Sequence, residues 1–546
     1  MNKINPIIIE LLNKRGISEE TEILEFLSDK PTKTYDPFLL HDLEAGVDLI
    51  LSVINEKKKI CIYGDYDADG ITSVSIMLQF LSNLNADVTY YIPSRFEEGY
   101  GLNKEAVAKI KENSIDLIIT VDCGSVSYEE VAYAKELGMD IIVTDHHSIT
   151  DTVADCILIN PKHPNCQYPF KYLAGCGVAF KLAQGIQRKA GLPKRAINEL
   201  LDLVAIGTIG DIVPLVDENR TLVKYGMNVI RQGHRKGLVK LIEDISLQLP
   251  KIKSDNIAFG IVPHLNAAGR MMDAKIGVEL LKAQMLEESQ PIVEELIKNN
   301  RQRKKVQEDT FIQCEKIILE NHREDLFFIV NCPDAHEGIS GIVAGKLKDK
   351  YKKPTIILTS TGENYLKGTG RSIKKINLYN LLKEQEKLFE RFGGHAGACG
   401  LLMKNENLDA FRQGISASIL KMMELDPDIF QEELEIDIAL EGKELNFELI
   451  DGLEKLAPFG SCNEKPNVAL SQILIKNLQY MGNDRKHARF SACCKDGSVI
   501  QSVLFNKAIE LKEKLTGQKV VTLLGSPDIS EWNGTKRIQF LVNDIW

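Results

Sequence analysis

The sequence predicts an α/β protein: a parallel-sheet lobe, a long connecting helix, a second α/β lobe and a C-terminal β-barrel. Three observations predict it. From Lys59 onward, short apolar runs alternate with segments of helical periodicity, the pattern of a parallel sheet covered on both faces. A similar alternation returns after a long glycine-free stretch in the second half of the chain. After about Leu425 the apolar runs become short and alternating, with turn signals between them, as in a small β-barrel or sandwich.

Taken in order, residues 1–43 carry two apolar helix-like patches and a Pro/Asp-rich tail, and read as a lead-in. The first lobe spans 44–285. Ile60 to Tyr63 is a buried strand, Gly64 to Gly70 a polar loop, and Ile71 to Leu84 a helix by its apolar period. Val88 to Ile92 and Leu117 to Val121 follow as strands, Lys104 to Glu112 and Tyr128 to Leu137 as helices, and Ile141 to Thr144 closes the series. Residues 286–322 form the connecting helix, with Gln290 to Asn321 free of glycine and Pro291 near its start. The second lobe spans 323–425, with strands at Leu326 to Val330 and Thr355 to Leu358 and a helix over Ile342 to Lys348. The last region, 426–546, carries strands such as Ala469 to Ile475 and Val520 to Leu524, with turns at Lys495-Asp496-Gly497 and Trp532-Asn533-Gly534.

Composition excludes several classes. At 546 residues, 44% hydrophobic and 26% charged, the chain has room for several cores and no disorder signature. No stretch has the unbroken apolar length of a membrane span, and Met1 to Arg15 lacks the features of a signal peptide, so a cytoplasmic protein is expected. The eleven cysteines lack CxxC spacing and read as buried apolar side chains or free thiols; Cys156, His163 and Cys166 fall short of a zinc site for want of a clear fourth ligand. A net charge of −10 argues against indiscriminate nucleic-acid binding, while leaving room for a local basic groove.

Chemistry concentrates in four acidic clusters expected at strand ends of the first lobe. They are Asp65, Asp67 and Asp69 in Gly64 to Gly70; Asp122 in Thr120 to Ser125; Asp145-His146-His147; and Asp211 in Gly207 to Leu215. Ligands of open parallel sheets bind beyond the carboxyl ends of the strands, so the first three clusters should meet in one crevice. Any one of these aspartates would serve as a turn residue or helix cap. Packed together without compensation they would repel and take up protons, and divalent cations relieve that. Oxygen donors with one or two imidazoles suit Mn²⁺ or Mg²⁺, and a pair of such ions suits phosphoryl displacement. One histidine of the pair would ligate while the other donates a hydrogen bond to phosphate.

The second lobe offers anion chemistry. Phe392 to Gly400 sets glycines, Gly394 among them, around His395; Lys367 to Ser372 holds Arg371 in a similar loop; and Pro263 to Arg270 is a polar loop carrying Asn266 and Arg270. Each also has a plain structural use, as a tight turn or a staple between lobes. Gly341 to Lys346 fails as a nucleotide-binding P-loop because Ser340 and Leu347 break the pattern. Arg301, Arg303, Lys304 and Lys305 form a basic patch on the long helix, either a solvated face or the floor of a phosphate-tracking groove.

Together these motifs resemble the DHH phosphoesterase superfamily and, within it, the bacterial RecJ exonucleases. Tyr63 to Gly70, Thr120 to Ser125, Asp145-His146-His147 and Gly207 to Leu215 are similar to the first four RecJ motifs. Pro263 to Arg270, Ser340 to Leu347, Lys367 to Ser372 and Phe392 to Gly400 are similar to the later ones, and Ala457-Pro458-Phe459-Gly460 precedes the part where RecJ proteins carry an OB-like domain. The resemblance implies a DHH lobe, a DHH-associated second lobe and an OB-like barrel, with a manganese-dependent site in the cleft. It implies 5′-to-3′ degradation of single-stranded DNA to mononucleotides in recombination and repair. By position, Asp67, Asp69, Asp122, His146 and Asp211 would ligate two Mn²⁺ (or Mg²⁺) ions and carry catalysis with His147. Asp122 would bridge the ions, and Asp65 and Asp145 would supplement the ligands. His147, Arg371 and His395 would hold phosphate, with Asn266, Arg270, Ser372 and Gly394 also placed at the substrate. Family II pyrophosphatases have a ligand histidine where this chain has Tyr63, so the first metal would have a rearranged shell. Expected partners are single-stranded DNA, a single-strand-binding protein and a helicase, for a monomer away from membranes.

Two rivals stand beside this reading. A small phosphodiesterase of the same superfamily would end near the glycine-rich motif, whereas this chain continues to Trp546. A non-catalytic scaffold would be expected to have lost metal-binding carboxylates, and here all stand.

Overall fold

A computed structural model describes residues 4–546 except 96, 150, 151, 363, 432, 434, 483, 518, 519 and 533. The turn expected at Trp532-Asn533-Gly534 therefore includes a residue outside the described set. The chain divides into two compact units. One comprises Met1–Pro93, Glu98–Val262 and Leu434–Trp546; the other comprises Ser94–Glu97 and Pro263–Glu433.

The first unit holds two sheets. Strands β1 (Lys59–Tyr63), β2 (Asp87–Tyr91), β3 (Leu117–Val121), β4 (Asp140–Thr144) and β5 (Ile157–Ile159) form a five-stranded sheet in the order β2-β1-β3-β4-β5. All its pairings are parallel. β3 is buried along its whole length and β1 and β4 nearly so, as continuous β-branched runs require. The series does not close at Thr144: β5, only three residues long, adds an edge strand. The helix Ala68–Asn83 begins inside the segment expected to be a loop, because the Asp67 carboxylate caps it by accepting from the amides of Asp69 and Gly70.

The second unit is built on β6 (Phe328–Asn331), β7 (Thr355–Thr361), β8 (Tyr365–Arg371), β9 (Phe389–His395) and β10 (Ala398–Lys404), in the order β6-β7-β8-β10-β9. β6 and β7 run parallel and the remaining pairings are antiparallel. Ile356 and Leu358 face one apolar cluster and Ile357 another, so the sheet is covered on both sides. Two expectations change here. The arginine- and glycine-bearing segments around Arg371 and His395 are strands, not loops. Pro263 to Arg270 lies in a helix, Val262–Met271. The long helix, Leu286–Ile317 followed by a π-helical turn to His322, precedes β6 and falls within this unit. The P-loop look-alike lies within the helix Glu337–Tyr351.

The remaining strands return to the first unit: β11 (Ile438–Ala439), β12 (Val468–Met481), β13 (His487–Cys493), β14 (Val499–Leu504), β15 (Val521–Trp532) and β16 (Thr535–Ile545). β12, β13, β14, β16 and β15 pair in that order, and β12 also pairs with β15, so they close into a barrel. β14 and β16 are parallel and the rest of the ring antiparallel, the topology of an OB-fold. The N-terminal segment is more than a lead-in. Its helices Pro6–Lys14 and Glu20–Leu27 bury Ile8, Leu11, Leu12 and Ile23 in the same apolar cluster as the barrel's Phe490 and Phe540.

Candidate metal centre

Three of the expected clusters lie beyond the carboxyl ends of β1, β3 and β4, neighbours in the sheet, so their side chains converge. The fourth arrives differently: Asp211 caps the C-terminus of the helix Leu201–Gly210 rather than ending a strand. Among the described residues, three sets have candidate ligand atoms within 4.8 Å of one another: Asp65, Asp67 and Asp122; Asp69, His146 and Asp211; and Asp122, His146 and His147. Asp122 and His146 recur, tying the sets into one centre. His146 Nε2 stands 3.1 Å from Asp122 Oδ1, 3.5 Å from Asp211 Oδ2 and 3.8 Å from Asp69 Oδ2.

The local backbone explains the convergence. Asp122 follows β3 at φ 62, which turns its carboxylate back over the strand ends. Asp69 is pinned in the first turn of its helix by the amides of Gly175 and Cys176, at 2.6 and 2.8 Å, which open the helix Gly175–Lys189. A Cβ on Gly175 would come within 2.5 Å of the Asp122 carboxylate, so only glycine fits there.

Electrostatics mark the centre as a cation site. Burial raises the pKa of Asp122 well above the carboxylate range, and Asp69, Asp67, Asp65 and Asp211 add to it. Burial also raises Asp69. Asp211 is pushed up to about 8 by burial and then by Asp69 and Asp67. Burial holds His146 down at about 4, leaving the neutral imidazole that ligates metals. Asp122 Oδ1 and His146 Nε2 are buried and make no hydrogen bond although they face each other. Buried polar atoms in that state are costly. The donor set of carboxylates with one neutral imidazole fits a hard divalent cation.

Asp145 and His147 play another part. Asp145 accepts from the amides of Ser125, His146 and His147 and from His147 Nδ1, at 3.0, 2.7, 3.0 and 2.8 Å. Its oxygens are engaged by these donors, and it is in none of the three sets. Burial alone would lower the pKa of His147, but the Asp145 hydrogen bond and charge outweigh it and raise the ring to about 9. Tyr63 is wholly buried and donates to the Gly101 carbonyl at 2.9 Å.

Several residues of the centre carry no signal in the sequence. The Tyr100 hydroxyl lies 3.2 Å from His147 Nδ1 and 3.4 Å from the Asp122 carbonyl, on a loop shaped by Gly99 and Gly101 at positive φ. Asn160, fully buried at the end of β5, donates to Ser125 Oγ and to the His147 carbonyl. Its Oδ1 accepts from the Lys162 amide. A run as short as Ile157-Leu158-Ile159 falls below the usual length of a strand signal, which concealed both Asn160 and Lys162.

In the second unit, Arg371 and His395 lie in register on either side of Ala398, so all three point to one face of the sheet. Arg371 donates to the Gly370 carbonyl and lies against Gly341; burial lowers its pKa, Cys399 raises it, and Arg95 lowers it. Ser372 donates to the Ile376 carbonyl, its amide bonds Gly397, and His395 Nδ1 accepts from the Gly397 amide. Gly394 pairs with Cys399 in the hairpin. Arg270 donates to the Gly338 carbonyl, and Asn266 lies one helical turn before it. On the long helix, Arg303 is drawn to Asn300 and Gln307, while Arg301, Lys304 and Lys305 are exposed.

A parallel α/β sheet with a carboxylate–histidine centre at its carboxyl edge defines a metal-dependent phosphoesterase of the DHH class. Family models agree: "DHH family, N-terminal domain" matches residues 59–208, "DHHA1 domain" 325–421 and "RecJ OB domain" 436–544. The chain is 36% identical to the single-stranded-DNA-specific exonuclease RecJ of Bacillus subtilis over 99% of its own length and 68% of that protein. It is 32% identical to the Escherichia coli RecJ over 100% and 96%. The crystal structure of Thermus thermophilus RecJ with Mn²⁺ superimposes with a TM-score of 0.84 at 27% identity, covering 100% of this chain and 76% of that one. The chain belongs to the RecJ family of single-stranded-DNA-specific exonucleases.

Proposed function

We propose that this protein hydrolyses single-stranded DNA from its 5′ end, releasing mononucleotides, through a centre that holds two Mn²⁺ or Mg²⁺ ions. The observation that supports it best is the meeting of three ligand sets at Asp122 and His146. Asp65, Asp67, Asp69, Asp122, Asp211 and His146 are the proposed ligands, with Asp122 shared. Such ions, when bound, supply an acidified water and charge neutralisation at a phosphodiester. The chain's own residues do the rest. Asp145, itself held by N–H donors, keeps His147 in its charged form, and a charged imidazole donates to a phosphate oxygen. The Tyr100 hydroxyl also meets the His147 ring, 3.2 Å from Nδ1. In the second unit Arg371 and His395, together with Ser372, Gly394, Asn266 and Arg270, bind the phosphates of the strand. The OB-topology barrel offers a further surface for single strands, which favours a polymer over a dinucleotide substrate.

The 5′-to-3′ sense and a place in recombination and repair come from the family resemblance. Digestion of 5′- and 3′-labelled single strands with Mn²⁺ tests the sense: mononucleotides released first from the 5′-labelled end support it, and first release from the 3′ end contradicts it. Faster hydrolysis of a dinucleotide than of a long strand would favour the small-phosphodiesterase alternative.

A further inference from the structure

Lys162 is a half-buried lysine in a place where lysines ordinarily form ion pairs. It sits two residues past Asn160, at the carboxyl edge of the sheet where the acidic clusters gather. Its backbone is fixed there: Asn160 Oδ1 accepts from the Lys162 amide at 2.8 Å, and Asn160 Nδ2 donates to the His147 carbonyl at 3.0 Å and to Ser125 Oγ at 2.9 Å. One buried side chain thus ties the Lys162 turn to the His147 loop. Burial pulls its pKa down, and the charges of Asp145 and Asp211 pull it back up. Yet among the described residues its ammonium closes no ion pair with those carboxylates. Asp145 already accepts from four N–H groups, and Asp211 belongs to a ligand set.

With Asp145 engaged by its N–H donors and Asp211 in a ligand set, neither carboxylate pairs with the Lys162 ammonium. The group that suits it is an anion carried in by the substrate. An ammonium binds phosphate as a point charge without a fixed geometry. We propose that Lys162 binds a phosphate of the nucleic-acid strand beside the metal centre, placed by the Asn160 bridge to the His147 loop. This rests on the nuclease reading above.

The test uses the full-length chain with Mn²⁺ and an oligodeoxythymidylate, comparing the parent with Lys162→Ala and Lys162→Arg. Lys162→Ala should lower kcat/KM about tenfold, as expected for one lost charge-assisted contact. The dependence of log(kcat/KM) on log[salt] should become shallower by about 0.7, the contribution of one phosphate on a single strand. Lys162→Arg should keep most of the parent's activity. Mn²⁺ affinity measured by calorimetry without DNA should hold or rise in Lys162→Ala, since a positive charge near the cations is gone. An active parent whose Lys162→Ala variant matches it in kcat/KM and salt slope overturns this inference alone, and so does a loss explained by weaker Mn²⁺ binding. An inactive parent overturns the function as well.

Discussion

Asp122 concentrates the chemistry of the centre in one residue. Its left-handed backbone, its buried carboxylate and its membership of two ligand sets make it the proposed bridge. Asp122→Ala should abolish Mn²⁺-dependent cleavage while retaining single-strand binding, read by a gel-shift assay in EDTA; near-normal turnover would refute the assignment. Gly175→Ala tests the same spot from the facing helix. Its methyl would press on the Asp122 carboxylate, so metal affinity should fall although no ligand is altered. Calorimetric Mn²⁺ titration reads that loss, and unchanged affinity would show that the helix can yield. The ligand-type residues were visible in the sequence because carboxylates and imidazoles clustered after apolar runs are unusual. Tyr100, Asn160 and Lys162 were not, since a lone tyrosine between glycines or an Asn-Pro pair marks a loop equally well.

The elements vary in how plainly they were written. Strands β1, β3 and β4 showed as continuous apolar runs, because strands buried on both faces leave little room for polar residues, whereas β2 at the sheet edge is half-exposed and carries Asp87 and Thr89. β8, β9 and β10 did not, since their glycines carry no strand preference and the pairing itself sets their form. The helix Leu201–Gly210 lacked a helical period because Leu201 through Thr208 are all buried, and that concealed how Asp211 reaches the centre. The helix Asp217–Gln232 packs against it, with Gly226 lying on Leu201 and Ala205. A Cβ on Gly226 would approach the Leu201 carbonyl to 2.1 Å. Gly226→Ala should therefore destabilise the unit by about 1–3 kcal/mol through overpacking, seen as a lower unfolding midpoint. An unchanged midpoint would mean the two helices can separate at no cost.

At the scale of the molecule, the first unit is assembled from both ends of the chain. Leu11, Leu12 and Ile23 share a core with the barrel, and Arg15 bonds Asn463 and the Glu464 carbonyl. Arg220 donates to the carbonyls of Lys455, Leu456 and Ala457, just past the C-terminus of the helix Phe447–Glu454, and stacks on Phe26 at 3.8 Å. A partner several hundred residues away leaves no local trace, which is why the N-terminal helices read only as a lead-in. Leu12→Ala should cost about 2–5 kcal/mol, and amide exchange should quicken in β12 to β16; exchange confined to the N-terminal helices would contradict the shared core. Deleting residues 426–546 would uncover the same apolar side chains, so point changes on the barrel surface are the cleaner test of its part in strand binding.

The central claim is that side chains from distant parts of the chain gather divalent cations at one centre. Titrating the full-length protein with Mn²⁺ and following free Mn²⁺ by electron paramagnetic resonance tests it most directly. Two ions should bind per chain, and Asp122→Ala should disturb both. No binding by the parent, or the same two ions held by the variant with undiminished affinity, would contradict it.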